Sequence, residues 1–166
     1  MKKRLLFICL GNICRSPAAE GVMRKMVEAR ALADDIVVDS AGIGAWHVGE
    51  QPDRRMQKHA AQRGYDLSVL RARQFKSVDF DRFDYIVVMD EENYQDVMGR
   101  MPYAPDTETR HRYQQKVIRM KDCFVAFQGQ TSVPDPYYGG AEGFEWALDL
   151  IEDGCRGLLA MLTGKD

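Results

Sequence analysis

The chain has 166 residues, 45% of them hydrophobic, and its 23 basic and 25 acidic side chains leave a net charge of −2. This length and apolar content predict a single globular domain over residues 1–166 with a sizeable core. The basic footprint of a nucleic-acid-binding protein is missing, so we expect no nucleic-acid partner. The apolar runs are too short for a membrane span, and a signal peptide would have to include the motif that follows the first strand. We therefore expect a cytoplasmic protein.

The predicted elements alternate between strands and helices along the chain. Short apolar runs predict four strands, at residues 4–8, 36–38, 85–89 and 117–120. Helical patterns cover residues 16–30, 53–63, 91–98 and a C-terminal stripe from 144 to 162. This order predicts an α/β fold, a four-stranded parallel sheet with helices on both faces. Residues 99–113 contain two prolines and mixed charges, which predicts a solvated loop.

The most informative motif directly follows the first strand, where residues 9–17 are C-L-G-N-I-C-R-S-P. Ser16 before Pro17 predicts a helix N-cap followed by the first helical position. In a strand–turn–helix segment, the backbone N–H groups and the helix dipole favour a bound anion and the thiolate form of Cys9. Arg15 adds a guanidinium that can hold two phosphate oxygens. The motif therefore predicts a phosphate-binding loop that contains its own nucleophile.

The residues between Cys9 and Arg15 have predicted roles in shaping this loop. Gly11 allows close backbone approach, and Asn12 tolerates a left-handed conformation. The phosphate oxygens would be held by the loop amides, which belong to Leu10, Gly11, Asn12, Ile13, Cys14 and Arg15. The hydroxyl of Ser16 could donate to the Cys9 sulfur or cap the helix, and the sequence leaves both roles open.

A phosphate ester also needs an acid to protonate its leaving group, and Asp135 is the candidate. It lies between two prolines in V-P-D-P-Y-Y, residues 133–138, a stretch that cannot form a regular helix. An isolated Asp-Pro pair is usually only a turn. The two tyrosines that follow it and the Cys9 motif together favour a catalytic role.

Four motifs in order now identify a family resemblance. They are C-L-G-N-I-C-R-S-P-A-A-E, then D-S-A-G with W-H-V-G and P-D, then F-D-Y-I-V-V-M-D, and finally V-P-D-P-Y-Y-G. The chain resembles the low-molecular-weight protein tyrosine phosphatases over nearly all its length. The resemblance implies their Rossmann-like phosphatase fold and hydrolysis of phosphotyrosine and small aryl phosphates through a phosphocysteine. It also implies that Asp135 first protonates the leaving group and then activates water, without a metal or cofactor.

The resemblance extends to the pocket, to regulation and to partners. It implies tyrosine-phosphorylated proteins as substrates, and we expect a monomer or weak dimer. Trp46, Tyr137 and Tyr138 would wall the substrate pocket. Ile13 favours phosphotyrosine, because a threonine at that place marks the related arginine phosphatases. Cys14 would act as a redox partner that forms a reversible disulfide with Cys9.

Two other functions remain as alternatives at this point. A thioredoxin-coupled arsenate reductase has a similar loop but needs two further cysteines near each other, and residues 89–93 contain none. A phosphate-binding module without activity would have little use for Cys9, Arg15 and Asp135 together. The four cysteines and three histidines show no spacing typical of a zinc site.

Overall fold

A computed structural model describes residues 2–164. Met1, Lys165 and Asp166, which the predicted domain includes, lie outside the described residues. The strands are β1 (Lys3–Cys9), β2 (Ile36–Gly42), β3 (Tyr85–Val88) and β4 (Val117–Arg119). The helices are α1 (Arg15–Ala29), α2 (Arg54–Gln62), α3 (Asp79–Arg82), α4 (Glu91–Gly99), α5 (Thr107–Lys116) and α6 (Ala141–Thr163). A short 3-10 helix, Met120–Cys123, follows β4.

The four strands form one parallel sheet in the order β2-β1-β3-β4, which confirms the predicted sheet. β1 lies between β2 and β3, and its last residue, Cys9, pairs with Gly42 of β2. The carboxyl ends of these strands meet at one edge of the sheet, where ligands bind in open α/β folds. The strand order therefore brings the end of β1 to the centre of that edge.

Two apolar clusters, one on each face of the sheet, confirm the prediction that helices cover both faces. Leu5 and Phe7 of β1 belong to the cluster that contains the buried residues of α1 and α6. Leu6 and Ile8 belong to the cluster on the other face, together with residues of α3, α4 and α5. This alternation follows from the period of two along a strand.

The prediction of a loop over residues 99–113 is wrong in its second half, because α5 begins at Thr107. The Asp106 side chain accepts a hydrogen bond of 2.7 Å from the backbone N–H of Thr109, which caps the helix. Tyr113 is the one buried residue of α5, so the sequence shows no apolar stripe there. This helix is therefore formed by a capping residue and polar helix-forming residues, and a search for hydrophobic periodicity in the sequence does not predict it.

Strand β2 also differs from its prediction, because it continues four residues beyond Val38, to Gly42. Asp39 and Ser40 break the apolar run that predicted the strand. Nevertheless Ser40 is buried and pairs with Phe7 of β1. The added length matters because it brings Ser40 and Gly42 beside the loop that follows β1.

Candidate active site

The loop between β1 and α1 runs from the buried end of a central strand into the first turn of a long helix. Cys9 and Arg15 are both almost fully buried, whereas Leu10 is exposed. Asn12 has a φ of 58°, the left-handed conformation that the sequence analysis expected it to tolerate. The chain therefore turns back tightly enough for the N-terminal end of α1 to face Cys9.

Ser16 contacts the sulfur of Cys9 instead of capping α1. Its Oγ lies 2.9 Å from Cys9 Sγ. Helix α1 begins at Arg15, and no side chain within residues 2–164 caps it, so the N-cap prediction for Ser16 is wrong. Asn12 Nδ2 donates to Ser16 Oγ at 2.8 Å. Since the hydroxyl oxygen already accepts from Asn12, its hydrogen is free to point at the sulfur.

Arg15 is held by groups that follow β3 and precede α6. Its Nη1 donates to Asp90 Oδ2 at 2.6 Å and to the Val133 carbonyl oxygen at 3.0 Å, while Nη2 lies 3.7 Å from Asp135 Oδ2. Burial alone would lower the pKa of Arg15, but the negative charges of Cys9, Asp90 and Asp135 raise it above its ordinary value. The guanidinium therefore stays charged and is fixed in position before a substrate binds.

Asp90 is a site residue that the sequence analysis missed. It follows β3 and caps α4 by accepting a 2.8 Å hydrogen bond from the backbone N–H of Asn93. Its position at the carboxyl end of a parallel strand was the available signal. In the segment where an arsenate reductase would need a cysteine, this chain has a carboxylate that binds Arg15.

Asp135 extends from the loop before α6 and faces the same cavity. Its Oδ1 accepts a 3.0 Å hydrogen bond from the Tyr137 backbone N–H, and its Oδ2 faces Arg15. About a third of its side chain is exposed to solvent. One oxygen is thus held by the loop, and the other is open to the cavity.

These side chains converge on one cavity of about 430 Å³. It is lined by Cys9, Leu10, Gly11, Ile13, Cys14, Arg15, Trp46, His47, Asp135, Tyr137 and Tyr138. Trp46 and Tyr138 are 70% and 92% exposed, so they form the rim, whereas Cys9 and Arg15 form the closed end. Of the predicted site residues, Asn12 and Ser16 do not line the cavity, because they lie behind the loop.

His47, which the sequence analysis did not assign, lines the cavity and pairs through Nδ1 with Glu50 Oε2 at 2.7 Å.

A buried polar network supports the loop from behind. Asn12 Nδ2 also donates to Ser40 Oγ at 3.0 Å, and Asn12 Oδ1 accepts from the Arg73 backbone N–H at 3.0 Å. Ser40 Oγ donates in turn to Glu20 Oε1 at 2.7 Å. Burial raises the pKa of Glu20, although the Ser40 hydrogen bond and the nearby Arg24 charge oppose that shift. No local pattern in the sequence indicates this network, because it depends on the register of β2 against β1.

Cys14 lies in the same loop as Cys9, and all four cysteines of the chain are free and buried. Burial raises the pKa of the Cys14 thiol far above its ordinary value, and the nearby Asp53, Cys9 and Asp135 raise it further. Cys14 is therefore a neutral thiol at physiological pH.

Residues 2–164 lack two kinds of feature, a metal site and a membrane-spanning helix. Those residues contain no group of His, Cys, Asp and Glu side chains placed to hold a metal ion. None of their helices is both long enough and apolar enough to cross a bilayer.

Comparisons with known proteins agree with this geometry. The family model described as low molecular weight phosphotyrosine protein phosphatase matches residues 4–166. A putative low molecular weight protein-tyrosine-phosphatase of Synechocystis sp. is 47% identical over 163 residues, 98% of each chain. The low molecular weight phosphotyrosine protein phosphatase of Homo sapiens is 37% identical over 160 residues, 95% of this chain and 94% of the human protein.

Solved structures are similar over the same length. The crystal structure of a protein tyrosine phosphatase from Entamoeba histolytica, with Hepes in its active site, has a TM-score of 0.90 at 42% identity and covers 98% of both chains. That of YfkJ from Bacillus subtilis has a TM-score of 0.86 at 36% identity and covers 99% of this chain and 96% of YfkJ. The chain therefore belongs to the low molecular weight phosphotyrosine protein phosphatase family and is a protein-tyrosine phosphatase that hydrolyses phosphotyrosine through a phosphocysteine intermediate.

Proposed function

We propose that Cys9, Arg15 and Asp135 are the catalytic residues of this phosphatase. The observation that carries the proposal is their convergence on one cavity, with the Cys9 sulfur at its closed end and the Asp135 carboxylate facing Arg15 at 3.7 Å. A nucleophile, a fixed cation and an acid open to the cavity are the groups that phosphoryl transfer to a cysteine needs.

In the first step the Cys9 thiolate attacks phosphorus and the bond to the tyrosine oxygen breaks. Asp135 gives its proton to the departing phenolate, which leaves as tyrosine. Arg15 and the amides of residues 10–15 hold the equatorial oxygens, so the charge of the transition state meets groups that are already in place.

In the second step a water molecule attacks the phosphocysteine and the S–P bond breaks. Asp135, now a carboxylate, accepts a proton from that water, and inorganic phosphate is released. The Cys9 sulfur leaves as a thiolate, which the hydroxyl of Ser16 stabilises from 2.9 Å away. One carboxyl group therefore serves as acid and then as base.

The shape of the cavity supports tyrosine-phosphorylated proteins as substrates. The nucleophile lies at the closed end, and the apolar side chains of Ile13, Trp46, Tyr137 and Tyr138 line the walls and rim. A phosphotyrosine ring can span this depth and pack on the aromatic walls, whereas a phosphoserine side chain is too short to reach the sulfur. Small aryl phosphates fit for the same reason.

Other properties belong to the same proposal. We infer one catalytic domain over residues 1–166 that works as a monomer or weak dimer and uses no metal or cofactor. The four free cysteines are typical of a reducing compartment and support a cytoplasmic location. We also propose Cys14 as the redox partner of Cys9, because both thiols line the same cavity.

Substitution of the two reacting side chains tests the catalytic assignment. Cys9→Ser should abolish turnover of p-nitrophenyl phosphate and of a phosphotyrosine peptide, because a neutral hydroxyl is a far poorer nucleophile. The variant should still bind inorganic phosphate, since Arg15 and the loop amides remain. Appreciable activity in Cys9→Ser would overturn the assignment.

Asp135→Ala should lower kcat/KM by about 10²- to 10⁴-fold, the usual contribution of general acid catalysis. The loss should be largest for phenyl phosphate, whose leaving group needs a proton most, and smaller for p-nitrophenyl phosphate. An equal loss across a series of leaving groups would mean that Asp135 is not the acid.

A further inference from the structure

Arg55, the second residue of α2, connects two loops of the active site without lining the cavity. Its Nε and Nη2 donate to the two carboxylate oxygens of Asp53 at 3.1 Å and 2.9 Å. The same Nη2 donates to the Tyr137 carbonyl oxygen at 3.0 Å. The Arg55 guanidinium carbon also lies 5.3 Å from the centre of the Tyr137 ring and 4.9 Å from that of Phe144. One planar group therefore contacts both the start of α2 and the segment that carries Asp135.

Asp53 fixes the other end of this connection to the phosphate-binding loop. Its backbone N–H donates to the Ile13 carbonyl oxygen at 2.8 Å. Its carboxylate caps α2 by accepting from the backbone N–H groups of Arg55 and Met56. Burial raises the pKa of Asp53, but these hydrogen bonds and the Arg55 charge lower it below its ordinary value. The carboxylate that orients Arg55 is therefore ionised and tied to the loop that contains Cys9.

The segment with Asp135 has few other attachments. Among residues 2–164, the bond from Arg55 to Tyr137 is the one hydrogen bond that reaches residues 134–139 from outside that segment. The segment's own hydrogen bonds join Tyr137 N–H to Asp135 Oδ1 and Gly139 N–H to the Pro136 oxygen. The backbone N–H of Tyr137 thus orients Asp135, while Arg55 binds the backbone carbonyl oxygen of the same residue.

We propose that Arg55 is a positioning residue that holds the carboxyl group of Asp135, the general acid, where it can protonate the leaving group. This proposal rests on the proposed function, because Arg55 would act through Asp135. The planar guanidinium can bond a carboxylate and a carbonyl and pack on an aromatic ring at the same time, which an ammonium group cannot. A misplacement of about 1 Å at a reacting group can cost on the order of 10²-fold in rate, so a loose acid would slow the first step markedly.

The test compares Arg55→Met and Arg55→Lys with Arg54→Met as a matched control. Arg54 is the preceding residue of α2, is exposed, and makes no side-chain hydrogen bond or ion pair within residues 2–164. We expect Arg55→Met to lower kcat/KM for phenyl phosphate by about 10- to 100-fold and for p-nitrophenyl phosphate much less. Arg55→Lys should lie between Arg55→Met and wild type, and Arg54→Met should match wild type on both substrates.

Two further measurements separate positioning from a general loss of structure. The inhibition constant for inorganic phosphate should stay unchanged in Arg55→Met, because the phosphate-binding loop keeps its own contacts. In an Asp135→Ala background, Arg55→Met should add little further loss, as expected for two residues that act through one group. Equal losses on both substrates, weakened phosphate binding, or additive losses in the double variant would each overturn the inference.

Failure of the proposed function is distinguishable from failure of this inference. If Asp135→Ala loses activity equally on both substrates, Asp135 is not the acid and both proposals fall. If Asp135→Ala shows the leaving-group dependence and Arg55→Met does not, only the role of Arg55 is overturned.

Discussion

At the scale of single residues, the hydroxyl of Ser16 lies between two partners, the Asn12 amide and the Cys9 sulfur. Asn12 occupies its oxygen, so its hydrogen is available to the Cys9 sulfur. That hydrogen bond stabilises a thiolate more than a phosphocysteine, because only the thiolate carries a full charge on sulfur. It therefore helps the step in which the thiolate leaves.

Ser16→Ala should slow hydrolysis of the phosphocysteine more than its formation. A hydrogen bond to a charged group contributes about 1.5–3 kcal/mol, so we expect roughly a 10- to 100-fold loss in that step. Stopped-flow measurement with p-nitrophenyl phosphate should reveal a larger burst relative to the steady-state rate. If both phases slow by the same factor, the hydroxyl acts on the nucleophile alone.

Burial and nearby negative charge raise the pKa of Cys14 and keep its thiol neutral. Mild peroxide should inactivate the enzyme, and dithiothreitol should restore it if Cys14 traps the oxidised Cys9 sulfur as a disulfide. Because the attacking species is a thiolate, the raised pKa of Cys14 predicts that trapping is slow at neutral pH and accelerates as pH rises.

The measurement compares recovered activity in wild type and Cys14→Ser after peroxide at pH 6, 7 and 8. Cys14→Ser should keep its basal turnover and lose the protection, since Cys9 then passes to irreversible oxidised forms. Full recovery of Cys14→Ser would mean that the second cysteine only packs in the loop.

At the scale of elements, the end of β2 limits how the phosphate-binding loop can fold. A Cβ at Gly42 would lie 2.9 Å from the backbone nitrogen of Asn12 and 2.9 Å from the carbonyl carbon of Gly11. Both atoms belong to the backbone of the loop, so they cannot move aside as a flexible side chain would. Gly42 is therefore required for the close approach of β2 to this loop.

Gly42→Ala should shift the loop, reduce phosphate affinity at least several-fold and cost about 1–3 kcal/mol of stability, as overpacking usually does. Phosphate inhibition constants and urea unfolding would measure the two effects. Gly99→Ala is the matched control, because a Cβ there meets no atom of the described part of the chain within 4 Å. Unchanged phosphate affinity in Gly42→Ala would contradict the packing argument.

Features that depend on local contacts could be predicted from the sequence, whereas contacts between distant segments could not. The strands and the Cys9 loop were predictable because apolar runs and a turn before a helix are local signals. The extension of β2 and the Ser40 network were not, since both depend on strand register. The position of Asp90 after β3 was an available signal, but its contact with Arg15 depends on the order of the strands. Helix α5 was missed because Asp106 caps a helix that buries almost nothing.

At the scale of the whole molecule, one buried carboxylate connects α6 to the chain that follows the 3-10 helix. Asp153 accepts hydrogen bonds of 2.9 to 3.1 Å from the backbone N–H groups of Val125, Ala126 and Phe127. Burial raises the pKa of Asp153, but these donors more than offset it, so the pKa lies below its ordinary value. A carboxyl group whose pKa is lower in the folded than in the unfolded state stabilises the fold at pH values above its unfolded-state pKa. That stabilisation is lost as the pH falls through the folded-state pKa.

Asp153→Asn should lower the free energy of unfolding at pH 7 by about 1–3 kcal/mol, because hydrogen bonds to a charge are lost. The difference from wild type should shrink as pH falls below about 5, where the wild-type carboxylate starts to lose its advantage. Urea unfolding at pH 7, 5 and 4 would measure this. Asp96→Asn is the control, since Asp96 is exposed and its side chain makes no hydrogen bond within residues 2–164. If the free energy of unfolding of Asp153→Asn differs from that of wild type by the same amount at all three pH values, the argument is contradicted.

The central position of β1 has a consequence for synthesis on the ribosome. Cys9 and Arg15 are translated well before the Val133 carbonyl that holds Arg15, which lies 118 residues later in the chain. Helix α6, which packs against α1, emerges later still. Because nascent chains grow at about 5–20 residues per second, the nucleophile is translated several seconds before its partners. We therefore expect a nascent chain to expose the Cys9 thiol before it is a phosphatase, and to become active only when α6 has left the exit tunnel.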